Sequence, residues 1–309
     1  MNLKTKNEKI SLVFFGSGPV AAESLRLLAN TFDIEAIITK PTTEQEMGSS
    51  CAYAPVLIAS NKAELDELIG HTTFTSRVAV LIDFGIIVSQ KVIDYFPKGI
   101  INSHFSLLPE LRGADPISFA ILEGKNKTGV SQMLLVEAMD EGPLLSQSIT
   151  EVNKDETTLS LTHKLIRQSA EDLERVIPLW MNNKIQSADQ LDVTIADSKE
   201  PSYTRKLTKS DGVIDWNKPA QQIEREVRAY IGWPKSRTML NEIDCVIAKA
   251  SVINKSGKPG EYCIDNKNLY VFCRENALNI EVLKPAGKKE MSIEAFLAGY
   301  SKRLDRTTN

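Results

Sequence analysis

The stretch from Ile100 to Ile117, IINSHFSLLPELRGADPI, sets polar side chains at the end of an apolar run. Such a run predicts a buried strand, and open parallel sheets keep their ligand crevice beyond the carboxyl ends of the strands. Asn102 carries an amide that can donate two hydrogens, and His104 a ring that exchanges a proton near neutral pH. One strand end thus presents an oxyanion donor and a proton handler. Asp140, just past a second apolar run, can orient or charge-stabilise His104 if the two strands are neighbours. Together the three suit activation of an acyl or formyl carbonyl: the amide steadies the developing oxyanion, while histidine and aspartate manage the protons of an attacking amine. Each also has a plain structural explanation, a hydrogen-bonded strand end for the first two and a turn aspartate for the third. A serine hydrolase fits less well, because no G-x-S-x-G elbow occurs and Ser103 and Ser106 lack a strand-turn-helix setting.

The elements that must hold these residues follow from apolar periodicity. Ile10–Phe15, Ile34–Thr39, Val78–Ile82 and Gly99–Asn102 are short apolar runs of β type, and helical stretches such as Val20–Leu28 fall between them. That alternation predicts a doubly wound α/β domain on a parallel sheet. Further strands are expected at Gly129–Val136 and Leu144–Ile149. Helices are expected at Pro116–Glu123, with Asp115 as its cap and Pro116 in its first turn, and at Thr157–Met181. The polar, aperiodic stretch from Asn182 to Ser202 reads as a linker, dividing the chain into domains 1–200 and 201–309. Beyond it, a helix at Pro219–Tyr230 and short runs at Cys245–Ala250, Leu269–Cys273 and Leu278–Leu283 predict a small β-barrel.

At 309 residues the chain is long enough for two cores, and 42% hydrophobic with 25% charged residues is ordinary globular composition, which excludes wholesale disorder. No apolar run is long enough to span a membrane, and the start, Met1–Lys9, carries three lysines ahead of a run too short for a span, so a cytoplasmic protein is expected. Cys51, Cys245, Cys263 and Cys273 show no paired spacing, and only His71, His104 and His163 could complement them; no metal site is expected. Charge is uneven. Residues 201–309 carry 19 Lys and Arg against 13 Asp and Glu, a net of +6, and residues 1–200 carry 18 against 27, a net of −9. A polyanion partner for the second half and an uneven solvated surface both fit that split. The turn Gly16-x-Gly18-x-x-Ala21 could offer backbone amides to a phosphate. A dinucleotide site usually has an acid near the end of the second strand, where this chain reads Thr39-Lys40-Pro41.

Asn102-x-His104-x-Ser106-Leu107-Leu108-Pro109, then Arg112-Gly113-Ala114, then Asp140-x-Gly142, resembles the 10-formyltetrahydrofolate-dependent formyltransferases. The resemblance implies a Rossmann-like formyltransferase domain with a C-terminal OB-like barrel, and Asn102, His104 and Asp140 as the catalytic triad. It also implies a folate site formed by Ser106, Leu107, Leu108 and Pro109, the pterin entering beside Phe84, Ile86 and Val88. Ser202–Trp216, Arg228–Pro234 and Leu283–Met291 resemble the members of that family that act on tRNA. By that resemblance the reaction is formyl transfer from 10-formyltetrahydrofolate to the α-amine of methionyl initiator tRNA, for translation initiation. Arg205, Lys206, Lys209, Lys284, Lys288 and Lys289 are then the RNA contacts of a monomer. This chain departs from the pattern in places. The segment Pro41–Tyr53, where a basic loop is usual, has no basic residue; Phe105 and Glu110 replace a glycine and a basic residue, and Val136 and Ala138 stand where Asp and Gly are usual. Sugar-nucleotide N-formylation and hydrolysis of the formyl folate are alternatives that share the triad, and a noncatalytic folate- or RNA-binding protein is a third.

Overall fold

A computed structural model describes residues 9–304, Lys302 by its backbone alone; the lysine-bearing segment 1–8 lies outside the described residues. The first sheet grows from the continuous apolar runs. Strand β1 (Ser11–Gly16) buries Leu12, Val13, Phe14 and Phe15 completely, as a strand covered on both faces must. Helix α1 (Pro19–Thr31) starts where Pro19 supplies a preset φ and Gly18 takes φ 88°, a conformation costly for other residues. The chain continues through β2 (Asp33–Thr39), α2 (Glu44–Ser50), β3 (Val56–Ile58), α3 (Lys62–His71), β4 (Ala79–Ile82), α4 (Gln90–Tyr95) and β5 (Ile100–His104). Helix α3 is capped by Asn61, whose side chain accepts from the Glu64 amide at 3.1 Å.

Next come β6 (Arg112–Gly113), α5 (Pro116–Leu122), β7 (Lys127–Leu134), β8 (Leu144–Glu151), α6 (Thr158–Met181), α7 (Gln190–Val193) and β9 (Tyr203–Thr204). The seven-stranded order is β3-β2-β1-β4-β5-β7-β8, with β1 to β5 parallel and β7 and β8 antiparallel. The sheet is therefore mixed, with a parallel doubly wound body and an antiparallel edge. Order reverses between β1 and β4, which opens a crevice at their carboxyl ends. Two expectations change in detail. Asp115 has φ 58°, a left-handed conformation in place of the extended one a capping residue adopts. The segment read as an aperiodic linker contains α7, and its end is tied to the loop after β5: the Arg112 amide donates to the Ser202 carbonyl at 2.8 Å, and β6 pairs with β9.

The chain forms two compact units, one of residues up to 116, 127–151 and 162–204, the other of 117–126, 152–161 and 205 onward. In the second, α8 (Ala220–Ala229) and α9 (Ile293–Leu304) accompany an antiparallel sheet of β10 (Ser236–Leu240), β11 (Ile243–Ile253), β12 (Tyr262–Asp265), β13 (Asn268–Phe272), β14 (Ala277–Pro285) and β15 (Met291–Ser292). Ile223 and Val227 of α8 and Phe296 of α9 share a core with Leu269 and Val271 of β13 and Leu278, Ile280 and Leu283 of β14. Among the described residues no helix is long and apolar enough to cross a membrane.

Candidate active site

Asn102 and His104 lie two apart on β5, so the pleat sends both side chains to one face. They occupy its carboxyl end, next to β4 through Leu81 opposite Asn102, and next to β7 through Ser131 opposite His104. Both are 7% exposed. Burial at this level demands partners for polar atoms. The Nε2 of His104 stands 3.0 Å from the Leu111 carbonyl, which can only accept, so this nitrogen holds the proton of the neutral ring. The other nitrogen, Nδ1, faces Asp140 Oδ2 at 3.8 Å.

Asp140 joins the triad together. Its Oδ2 accepts from the Gly113 amide at 2.7 Å and its Oδ1 from Asn102 Nδ2 at a long 3.4 Å. The carboxylate reaches inward because the backbone at Asp140 is left-handed, with φ 53°. Two features fix that turn. A Cβ on Gly142 would lie 1.7 Å from the Leu134 carbonyl oxygen, so the chain can pass β7 there only as glycine. Gln190 of α7 then donates its Nε2 to the carbonyls of Asp140 at 2.8 Å and Gly142 at 2.9 Å, while its Oε1 accepts from Arg112 Nη2 at 2.8 Å. Arg112 also donates to Glu141 at 3.0 Å and to the Tyr203 hydroxyl at 3.2 Å. Gln190 and Tyr203 come from the stretch read as linker and the residue that follows it. Sequence reading missed them because a lone glutamine in a polar run carries no signal, although Arg112 and the Asp140-x-Gly142 pair did mark the residues they serve.

The loop after β5 is held from beneath. The Ser131 hydroxyl accepts from the Leu108 amide at 3.0 Å and donates to the Ser106 carbonyl at 2.7 Å; Ser106 Oγ donates to the Glu110 carbonyl at 2.6 Å. Gln147 and Thr194 both donate to the Leu108 carbonyl, at 2.8 and 2.6 Å. Ser106, Leu107, Leu108 and Pro109 are all buried, Leu108 against Met133 and Leu144. Their side chains therefore shape the loop, and a ligand would meet its backbone. Phe84 and Val88 likewise lie in the core, Phe84 edge-on to Phe15 at 5.5 Å, with Ile86 partly buried beside them; Ile87, which sequence reading passed over, is the exposed apolar residue of that segment.

At the reversal point the Ser17 amide donates to the Asp83 carbonyl at 3.0 Å, joining the glycine turn after β1 to the end of β4. Asp83 keeps an exposed edge, yet the protein around its carboxyl and then the Asp115 charge push it up to about 6, against the opposing pull of Lys40. The Lys40 ammonium packs over Gly85, whose Cβ position would be 2.7 Å away.

Of the six basic residues, Arg205 is paired with Asp211, Lys206 and Lys209 are exposed in the same segment, and Lys284 is half-buried on β14. Lys288 and Lys289 are exposed in the turn from β14 to β15, where the Lys288 amide donates to the Pro285 carbonyl at 3.0 Å. Segment 41–53 is not an open loop. It forms a 3-10 turn and α2, which faces outward with Glu44, Gln45 and Glu46 and buries Met47 completely. Among the described residues no group of His, Cys, Asp and Glu is arranged to hold a metal.

Asn102, His104 and Asp140 meet at the carboxyl end of β5 in a doubly wound sheet, and residues 25–177 match the formyl transferase domain while 206–301 match the formyl transferase C-terminal domain. Methionyl-tRNA formyltransferase of Pelobacter propionicus is 30% identical over 94% of this chain and 93% of its own length, and that of Listeria monocytogenes serotype 4a is 29% identical over 96% and 98%. The chain belongs to the methionyl-tRNA formyltransferase family. Its fold is also similar to that of a solved N-formyltransferase from Helicobacter canadensis in complex with folinic acid and dTDP-3-aminofucose, with a TM-score of 0.65, 17% identity, and coverage of 91% of this chain and 100% of that one.

Proposed function

We propose that this enzyme transfers the formyl group of 10-formyltetrahydrofolate to the α-amine of methionyl initiator tRNA, with Asn102, His104 and Asp140 as its catalytic residues. The observation that carries the roles is the Asp140 carboxylate, which meets the Asn102 amide, the His104 ring and the Gly113 amide at once. The amine nitrogen attacks the formyl carbon and the carbonyl oxygen becomes an oxyanion. The Asn102 amide hydrogen that is not turned to Asp140 supports that charge. His104 takes the proton lost by the amine, and Asp140 stabilises the ring while it is charged. Collapse breaks the bond from the formyl carbon to N10 of the folate; the proton passes to N10, and tetrahydrofolate and formyl-methionyl-tRNA leave.

The buried Phe84 and Val88 and the pinned Ser106–Pro109 loop suit a flat pterin that meets backbone groups between them. Residues 1–200 supply the catalytic groups and 201–309 the RNA-facing ones, with Arg205, Lys206, Lys209, Lys284, Lys288 and Lys289 toward the phosphates. Labelled formyl transfer to methionyl-tRNA, free methionine, aminosugar nucleotides and water, offered in parallel, tests the reading. Transfer to methionyl-tRNA alone is expected. Transfer to an aminosugar or to water retains the triad and refutes the tRNA substrate. His104→Ala loses turnover by about 10²- to 10⁴-fold, the usual worth of a positioned acid-base group, with its folding intact; near-normal turnover refutes the triad.

A further inference from the structure

Trp233 is 56% exposed, an unusual position for the largest apolar side chain. The other two tryptophans are partly buried and hydrogen-bonded, Trp180 to the Lys98 carbonyl at 2.8 Å and Trp216 to Thr238 Oγ1 at 3.1 Å. One edge of the Trp233 indole rests on the basic segment, Nε1 lying 3.5 Å from the Leu207 carbonyl. The following residues pack on the same segment: a Cβ on Gly212 would lie 2.3 Å from the Lys235 carbonyl oxygen and 3.2 Å from Pro234. Trp233 therefore rests on the segment that carries the exposed Lys206 and Lys209 and stands two residues before Lys235, with Leu159, itself 53% exposed, close to the neighbouring Gly232. The local acid, Asp211, is already neutralised by Arg205. What remains is an exposed indole on a lysine-bearing segment, in the part of the sequence with a net charge of +6.

We infer that Trp233 is a stacking platform for an unpaired base of the tRNA substrate, with Lys206, Lys209 and Lys235 holding the adjoining phosphates. An indole face stacks on any base, and a lysine-bearing segment beneath it suits a polyanion and disfavours an apolar protein surface. The inference rests on the tRNA reading proposed above and adds the residue that meets the RNA by stacking. Loss of one stacked base corresponds to about 5- to 150-fold in affinity.

The test measures the dissociation constant of initiator tRNA for the full chain as wild type, Trp233→Ala, Trp233→Phe and Lys206→Ala/Lys209→Ala, with thermal midpoints as a folding control, alongside formyl transfer. Trp233→Ala should weaken binding by that factor, raise KM for methionyl-tRNA and leave KM for the folate unchanged. Trp233→Phe, which keeps an aromatic face, should restore most of the affinity. The lysine variant should reduce the steepness of the salt dependence, whereas Trp233→Ala should not. Unchanged tRNA affinity in a folded Trp233→Ala overturns the inference, as does Trp233→Phe no better than alanine. Self-association of the wild type that Trp233→Ala abolishes, with tRNA affinity intact, overturns it in favour of a protein interface. A wild type that binds tRNA and shows these effects without formylating it refutes the proposed function alone, and one that formylates tRNA with Trp233 irrelevant refutes this inference alone.

Discussion

Gln190 offers the sharpest test of how the site is built. Its side chain is 2% exposed and makes three hydrogen bonds, two to the carbonyls on either side of the Asp140 turn and one from the Arg112 guanidinium. Gln190→Met keeps the volume and removes all three. Two neutral bonds at about 1 kcal/mol each and one charge-assisted bond at about 1.5–3 kcal/mol give a loss of about 3–5 kcal/mol. For a unit of this size each kcal/mol moves the melting temperature by about 2–4 °C, so Tm should fall by about 6–20 °C. Enough stability should remain for a folded protein at 25 °C. Because the Asp140 turn then loses its support, the carboxylate shifts relative to His104, and a displacement near 1 Å costs on the order of 10²-fold in turnover. Gln190→Glu separates packing from polarity: it preserves the acceptor for Arg112 but sets carboxylate oxygens against the two carbonyls, so the catalytic loss should persist while part of the stability returns. Thermal unfolding and kcat/KM for methionyl-tRNA read both effects. A Gln190→Met enzyme with Tm within about 2 °C of wild type and turnover within about twofold would refute the assignment of Gln190 as the residue that positions Asp140.

Two further perturbations probe the same end of the sheet. Gly142→Ala places a methyl 1.7 Å from the Leu134 carbonyl oxygen, which is backbone and cannot swing aside, so a loss of about 3 kcal/mol or more is expected; a Tm equal to wild type would contradict so close a passage of the chain beside β7. Asp83 titrates near 6 in the folded protein, above its ordinary 3.8, so the folded state holds the extra proton in that window. Its stabilising effect is complete below about 3.8 and disappears as pH rises through about 6. Asp83→Asn should therefore be at least as stable as wild type at pH 7.5 and show a flatter dependence of Tm on pH between 4 and 7; an unchanged profile counts against the crowding of this carboxyl by Asp115.

Strands β1, β2, β4 and β5 were legible because each is a continuous apolar run, and a run buried on both faces leaves an unmistakable pattern. Asn102 and His104 were legible for the opposite reason: polar side chains ending such a run must be partnered or used. Less legible was the direction of β7 and β8, since a buried antiparallel strand has the same composition as a parallel one and only the connection decides. The residues from 182 to 204 resemble a linker because their work is done by single side chains and backbone groups. Gln190, Thr194 and Ser202 each fasten a different part of the site with no periodic apolar face to announce them. The candidate folate residues show a related limit of pattern reading. Phe84 and Val88 sit in a segment facing the crevice, yet their side chains turn into the core and leave Ile87 at the surface.

The acidic segment after β2 gains a physical explanation from the fold. Met47 and Cys51 are buried, and the Tyr53 hydroxyl accepts from the Ile34 amide at 3.2 Å, so this stretch secures the path from β2 to β3. Glu44 and Glu46 lie in the first turn of α2, where carboxylates are favoured by the helix dipole, and they face solvent. A helix so occupied repels phosphates and offers no cation to them. Net positive charge lies instead in residues 201–309, where Tyr203 and Trp233 are exposed aromatic side chains. If the second half holds the RNA as proposed, it does so by charge and by stacking, while the segment after β2 secures the sheet that carries Asn102 and His104.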